Sequence, residues 1–318
     1  CEVRRMDVKN RNTGKRLMAA IFCASFIGIA VMGFRYFEFV SKTVYEESVS
    51  HLTEVFHQSN TMLKELANKN LTYLHMWGEY LQDTSGESEI RDYIEKAQEE
   101  AGFLHFYFLS ADGNYKMATG ETGYLGLQDN LADEIWHGND IITNAAVPGQ
   151  SQMLVFASPE SHGSYQGFEY DAIAIAYENA DIVDVLDISA FDGNAKSYVV
   201  HPDGRVVVDR SFESWGNAYN FFGVLREHSD ISEKEILALS EKFKQGHTGA
   251  MMVNLDGEDY YLVYEKSDIQ DWMFLGLVQA DIVNTSMNKL QLSTMLLVGA
   301  VVLCLAALLI GFIIQKSR

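Results

Sequence analysis

The chain has 318 residues, with 44 acidic side chains against 24 basic ones and a net charge of −20. Such acidity excludes nucleic acid as a partner, because like charge repels the phosphate backbone. Three cysteines in so long a chain exclude a small disulfide-stapled scaffold.

The charge is also unevenly placed. Residues 1–16 carry +4, the last four residues +2, and residues 35–291 carry −26. Between tail and acidic region, residues 17–34 (LMAAIFCASFIGIAVMGF) are free of charge, and so are residues 292–314 (LSTMLLVGAVVLCLAALLIGFII). A bilayer core takes about 20 apolar helical residues, so both segments read as membrane spans. The basic residues lie outside the two spans, which predicts both termini in the cytoplasm and residues 35–291 outside the cell membrane. A cleaved signal peptide is the alternative for the first span. Its apolar run exceeds the roughly 7–15 residues of such a segment, and a helix runs straight out of it. Cys1 reads as the start of a fragment rather than a lipidation site, since a lipid there belongs on the opposite side from a basic tail. Cys1, Cys23 and Cys304 all fall outside the acidic region, which must be held together by its own core.

From 36 to 82 there is no proline, and apolar residues recur at Phe37, Val40, Val44, Leu52, Val55, Met62, Leu66, Leu74, Trp77 and Leu81. This is the spacing of one helical stripe, and such a helix extends ~70 Å. Its polar lower part suits a stalk or a dimer seam. Asp83-Thr84-Ser85-Gly86 ends it, and a second helix follows over 88–101, stopped by Gly102.

Beyond Gly102 the period becomes that of strands. Residues 105–109 (HFYFL) and 115–119 flank Ser110-Ala111-Asp112-Gly113, a hairpin turn. The arrangement recurs 91 residues later: 197–200, then His201-Pro202-Asp203-Gly204, then 206–209. Tyr107 precedes Asp112 as Tyr198 precedes Asp203, which indicates one small domain repeated once. After the first hairpin come helix or loop material at 131–137 and strands at 153–157 and 172–177. A helical link follows over 179–188. After the second hairpin come helices at 217–226 and 232–244 and strands at 250–254, 259–265 and 272–278. The fold class is therefore α/β, with a long N-terminal stalk helix and two tandem antiparallel-sheet units between two spans.

A span, a stalk helix, paired Tyr-x4-Asp-Gly hairpins (Tyr107/Asp112/Gly113 and Tyr198/Asp203/Gly204) and a second span after the last strand together resemble the double-Cache sensor family, with its PAS-like units. The resemblance covers residues 17–314. It implies that the long helix packs along both units, that the membrane-distal unit holds a small ligand, and that dimerised stalks relay the signal. By that resemblance 35–101 are stalk and second helix, 102–188 the distal unit, 189–280 the proximal unit, and 281–314 the exit helix and second span. Residues 315–318 form a cytoplasmic end. The chain looks most like the input regions of bacterial hybrid histidine kinases and diguanylate cyclases.

No enzyme signature is present: no HExxH, no GxSxG and no phosphate-binding loop. Gly120, Gly123 and Gly126 read as a flexible loop. Asp181, Asp184 and Asp187 share one helix face without the clustered oxygen ligands or tight turn of a calcium loop, and read as solvated. The nine histidines have no metal-ligand spacing to a cysteine, so no catalytic residue, metal or cofactor is expected. The most informative polar residue is Asp171. Strand alternation puts Asp171, Ile173, Ile175 and Tyr177 on one face and Tyr170 with three alanines on the other. If the first face lines the distal pocket, Asp171 accepts an ammonium or hydroxyl from a ligand, and Tyr177, Tyr107 and Trp136 form the walls. Otherwise Asp171 opens the strand at its solvated edge, and the aromatics are core. Tyr260, Tyr261 and Tyr264 of the proximal unit read as packing against the stalk.

These readings converge on a ligand-sensing input module of a membrane signalling protein. The expected ligand is a small polar extracellular molecule, and the expected contacts are a second copy through the stalk and spans, and membrane lipid. The output is expected beyond Arg318: a histidine kinase first, with a diguanylate cyclase or a non-enzymatic chemoreceptor scaffold as alternatives.

Overall fold

A proline-free sequence with an apolar stripe gives one continuous helix, α1 (Glu2–Asp83). The computed structural model describes residues 2–84, 86–127, 134–135, 137–146, 152–159, 162–186, 194–208, 220–283, 295–296 and 299–302. The chain divides into two compact units, residues 1–50 with 283–318, and residues 51–282. In the first unit, the side chains of 17–26 and most of 292–314 lie outside the described residues. Among the described residues no helix is long and apolar enough to cross a membrane.

The second unit begins within α1, which buries Leu52, Phe56, Leu63, Ala67, Leu74, Trp77 and Leu81 along one side. Helix α2 (Glu87–Ala101) follows and ends on Gly102, whose φ of 76° provides the left-handed stop. Then come β1 (His105–Leu109), β2 (Asn114–Met117), β3 (Thr122–Tyr124), β4 (Gly126–Leu127), β5 (Ile141–Ala146) and β6 (Gln152–Ser158). A short hairpin of β7 (Gly163–Tyr165) and β8 (Phe168–Tyr170) leads into β9 (Ala172–Glu178). The first sheet has the order β3-β2-β1-β9-β6-β5-β4 and is antiparallel throughout. Helix α3 (Asn179–Leu186) links it to β10 (Ala195–Val200) and β11 (Val206–Val208). Helices α4 (Phe221–His228) and α5 (Glu233–Lys244) precede β12 (Gly249–Leu255), β13 (Glu258–Lys266) and β14 (Met273–Gln279). The second sheet has the order β11-β10-β14-β13-β12.

The internal repeat is physical. Gly113 and Gly204 have φ of 87° and 86°. Their amides donate to Ser110 O at 3.0 Å and His201 O at 2.8 Å respectively. Asp112 Oδ1 accepts from Asn114 N at 3.3 Å, and Asp203 Oδ1 accepts from Arg205 N at 3.0 Å. Both turns therefore use an aspartate to bind the backbone two residues on and a glycine to supply the positive φ.

Helix α1 packs on one face of each sheet. Against the second sheet, Phe56 lies on Gly276, where a Cβ would meet the ring at 2.3 Å. Around it, His57 Nδ1 sits 2.7 Å from Glu265 Oε1, and Lys64 Nζ donates to Asp268 Oδ2 at 2.6 Å. Asn60 Nδ2 donates to Lys266 O at 3.2 Å. The hydrogen bond to Glu265 holds the His57 pKa above its ordinary value. Against the first sheet, Trp77 meets Phe103 and Phe106, and His75 Nε2 pairs with Asp140 Oδ1 at 2.8 Å. Of the tyrosines expected against the stalk, strand alternation places only Tyr261 on that side with Glu265. Tyr260 and Tyr264 face the opposite core of α4 and α5.

Two buried asparagines join the sheets. Asn144 Nδ2 donates to Val206 O at 3.3 Å, and Asn179 Nδ2 donates to Val207 O at 3.1 Å. They thereby occupy carbonyls of β11, the edge strand of the second sheet.

The expected flexible loop around Gly123 and Gly126 is instead strand. Gly123 lies opposite Tyr115 in the ladder, so close that a Cβ would stand 2.5 Å from the tyrosine oxygen. Gly163 under Tyr170 and Gly249 under Tyr264 repeat the pairing. In each case an aromatic ring covers a glycine that leaves the strand backbone bare.

Candidate ligand-binding site

The two faces of the first sheet differ in chemistry. One presents Phe106, Phe108, Phe156, Ile173, Ile175 and Tyr177 to the helices. Tyr177 Oη lies 2.9 Å from Asn70 Oδ1 and 3.1 Å from Ala101 O. A hydroxyl has one proton, so the pair is satisfied when the Asn70 amide turns its NH2 toward Tyr177 and the hydroxyl donates to Ala101 O. Burial pushes the Tyr177 pKa up to about 12. This residue is a latch between β9, α1 and the end of α2.

The opposite face carries Tyr107 and Leu109 of β1, Val155 and Ala157 of β6, Ala145 of β5, and Ala172, Ala174 and Ala176 of β9. Small alanines line its centre, and Leu125, Ile135, Ile141 and Met153 belong to the same buried cluster. Tyr107 belongs to β1 and Met153 to β6, with β9 between them. Yet Tyr107 Oη reaches to 4.0 Å from Met153 Sδ, so the ring crosses above the β9 alanines. The second sheet has Met273, Leu275 and Leu277 where β9 has alanine, against Val200 and Tyr198 where β1 has Leu109 and Tyr107. Those longer side chains belong to a filled apolar core in the second unit of the repeat.

The Tyr107 hydroxyl is therefore held in the middle of an apolar face. Tyr107 is 1% exposed, and its only hydrogen-bond acceptor among the described residues is that thioether. Sulfur is a weak acceptor, and a buried hydroxyl without a good partner costs about 1–3 kcal/mol. Burial raises the Tyr107 pKa far above the phenol range, so the group stays protonated and able to donate. Tyr115 packs on it with ring centroids 4.7 Å apart, and His105 stands at 5.7 Å. Burial lowers the His105 pKa, opposed by the carboxylates of Glu121 and Glu178, and favours a neutral ring.

Of the four residues expected to share a site, three are described, and they do not come together. Cross-strand register pairs Tyr107 with Ala174 and Phe106 with Ile175, which places Tyr107 and Tyr177 on opposite faces. Asp171 precedes β9, where its Oδ2 accepts from Ala111 N at 2.8 Å and its own amide donates to Leu109 O at 2.9 Å. It thus ties the β8–β9 junction to the β1–β2 turn. Trp136 lies outside the described residues. The alternation read from the sequence is the one observed, with the alanines of β9 on one face and Ile173, Ile175 and Tyr177 on the other. Among the described residues no cluster of potential metal ligands occurs.

No family model matches the sequence, and no curated protein matches it. In fold it is similar to the extracellular domain of the proposed histidine kinase mmHK1S-Z3, at 14% identity and a TM-score of 0.54, covering 78% of this chain and 99% of that one. It is equally similar to the ligand-binding domain of the Pseudomonas aeruginosa PAO1 amino acid chemoreceptor PctB in complex with L-Arg, at 14% identity and a TM-score of 0.54, covering 74% and 97%. A third is the extracellular domain of a second proposed histidine kinase, mmHK1S-Z2, at 16% identity and a TM-score of 0.50, covering 76% and 99%. The fold is thus that of extracellular sensory domains, consistent with the Cache architecture implied by the paired hairpins.

Proposed function

We propose that this chain is the ligand-sensing input module of a transmembrane signalling protein, with the Tyr107 face of the first sheet as its ligand site. The observation that carries this is the Tyr107 hydroxyl, buried beside the alanines of β9 and bonded among the described residues to nothing better than sulfur. A ligand that accepts its proton removes the cost of that burial, and so stabilises the state that encloses it. The likeness in fold to sensory domains of kinases and a chemoreceptor supports the same reading. A histidine kinase is the output we favour, and a chemoreceptor scaffold the second. The test is a thermal-unfolding screen of small polar metabolites on the full chain. A hit should lose at least roughly tenfold in affinity in Tyr107→Phe, the scale of one hydrogen bond to a buried group. Hits that bind Tyr107→Phe unchanged remove this face from the site.

The membrane arrangement is part of the proposal. Residues 17–34 and 292–314 are apolar and flanked by basic residues on the side away from the acidic middle. In this arrangement 35–291 face outward, 102–188 form the membrane-distal unit and 189–280 the proximal one. Single cysteines at Gly86 and Gly246, with Cys1, Cys23 and Cys304 replaced, should react with an impermeant thiol reagent in intact cells. Protection of both positions refutes this topology.

A further inference from the structure

Helix α1 is tied to the two sheets by ionic contacts of one polarity. Among the described residues, His57, Lys64 and His75 of α1 meet Glu265, Asp268 and Asp140 at 2.7, 2.6 and 2.8 Å. In each pair the group able to carry positive charge stands on the helix. Two of these groups are histidines, whose charge ordinarily changes between about pH 5 and pH 8. They lie about five turns apart and so share one side of the helix. His57 reaches β13 of the second sheet, and His75 reaches the residue that opens β5 of the first. Each sheet therefore holds α1 through one titratable ring.

Carboxylates outnumber other charges around both rings. His57 contacts a Glu265 side chain that is only 16% exposed, while the ring is 57% exposed and open to protons from solvent. Glu54 on the helix and Asp268 beyond β13 add negative charge. The neighbouring lysines are committed to other partners, Lys64 to Asp268 at 2.6 Å and Lys266 to Asp271 at 3.1 Å. The hydrogen bond from Glu265, with its charge, thus keeps the His57 pKa above its ordinary 6.5. His75 Nε2 has both oxygens of Asp140 in reach, at 2.8 and 3.0 Å. The turn before Asp140 carries His137 and Glu134, the latter accepting from Asn139 Nδ2 at 2.9 Å. On α1 itself Glu79 follows His75 by one turn.

We propose that α1 is held by a proton-dependent clamp: protonation of His57 and His75 turns two hydrogen bonds into ion pairs and seats the helix more firmly on both sheets. The folded chain binds the His57 proton more tightly than the unfolded chain does. The added stability is therefore complete below about pH 6.5 and is lost as pH rises through the higher folded-state value. Helix α1 continues into residues 1–50, and in the topology proposed above the clamp meets the protons of the outer compartment. The clamp does not depend on the Tyr107 face.

The test is urea unfolding of the full chain in detergent at about pH 6 and pH 8. The ratio of the unfolding constants at pH 8 and pH 6 is compared between the native chain, His57→Gln, His75→Gln and the double variant. A solvent-exposed pair shifts such an equilibrium by roughly twofold to fivefold. The ratio should fall by a factor of that size in each single variant, and by the product of the two in the double variant. Glu265→Gln and Asp140→Asn remove the partner rather than the ring and should lower the ratio to the same extent. They also give the reading if the double histidine variant does not fold. His247→Gln, at an exposed histidine outside both pairs, should leave the ratio as it is. A ratio unchanged by loss of both histidines or both carboxylates overturns the clamp, and so does an equal fall in His247→Gln. A fall confined to one of the two single histidine variants refutes a clamp that spans both sheets.

Discussion

Phe56→Ala should cost about 3–5 kcal/mol of stability and reverse the sign of a second substitution, Gly276→Ala. The first figure is the usual range for removing a buried phenylalanine. Phe56 is 1% exposed, packs 6.4 Å from the Phe274 ring and lies directly on Gly276 of β14. In the native background the added methyl of Gly276→Ala falls 2.3 Å from ring atoms and must push α1 off the sheet. Overpacking of that kind costs about 1–3 kcal/mol. With Phe56 already alanine, the methyl enters vacated space. What remains is the ordinary advantage of alanine over glycine in an extended backbone, about 0.5–1 kcal/mol. Urea midpoints of the two single variants and the double variant measure the coupling. If Gly276→Ala has the same sign in both backgrounds, the helix does not seat on the sheet through this ring. The contact matters because α1 and β14 are the segments by which residues 51–282 join the rest of the chain.

The elements most legible in the sequence were those with a strong local period or a turn of demanding geometry. The stripe through Leu52, Leu74, Trp77 and Leu81 gave the helix, and Asp112-Gly113 and Asp203-Gly204 gave both hairpins with their strands. The helix expected over 232–244 is α5, opened by a capping box of Ser232 and Glu235. Strand β5 was not legible. Its sequence Ile-Ile-Thr-Asn-Ala-Ala has no alternation, because both of its faces are buried and Asn144 is spent on the other sheet. The β7–β8 hairpin escaped for a related reason. Tyr165 and Tyr170 hold it by packing on Phe108 at 4.3 and 5.0 Å, contacts made across the chain rather than along it. In β9, alternation sorted the residues correctly, but which face meets α1 is a tertiary fact. Tyr107 was named as a wall. Its central position follows only from the strand order, which brings β6 and Met153 to the far side of β9.

The joint between the sheets predicts the second large effect. Asn144→Ala with Asn179→Ala should destabilise the protein by about 2–5 kcal/mol, because two buried carbonyls lose their donors. Val206 O and Val207 O belong to β11, the edge of the second sheet among the described residues. Asn144 sits on β5 next to Ala145, a residue of the Tyr107 face, so a shift of β5 is passed to β11 through one amide. Loss of both bonds should also separate unfolding into two steps, the second sheet parting from the first. A control distinguishes hydrogen bonding from mere filling. Asn144→Asp keeps the shape of the side chain but sets an oxygen, charged at neutral pH, against the Val206 carbonyl. It should be more damaging than Asn144→Ala, since burying an unpaired carboxylate costs several kcal/mol. The readout is calorimetric unfolding of the three variants, with hydrogen exchange of the Val206–Val208 amides reporting on the joint. A single transition in the double variant, or Asn144→Asp no worse than Asn144→Ala, would mean that the sheets are held by apolar packing and the amides carry no coupling.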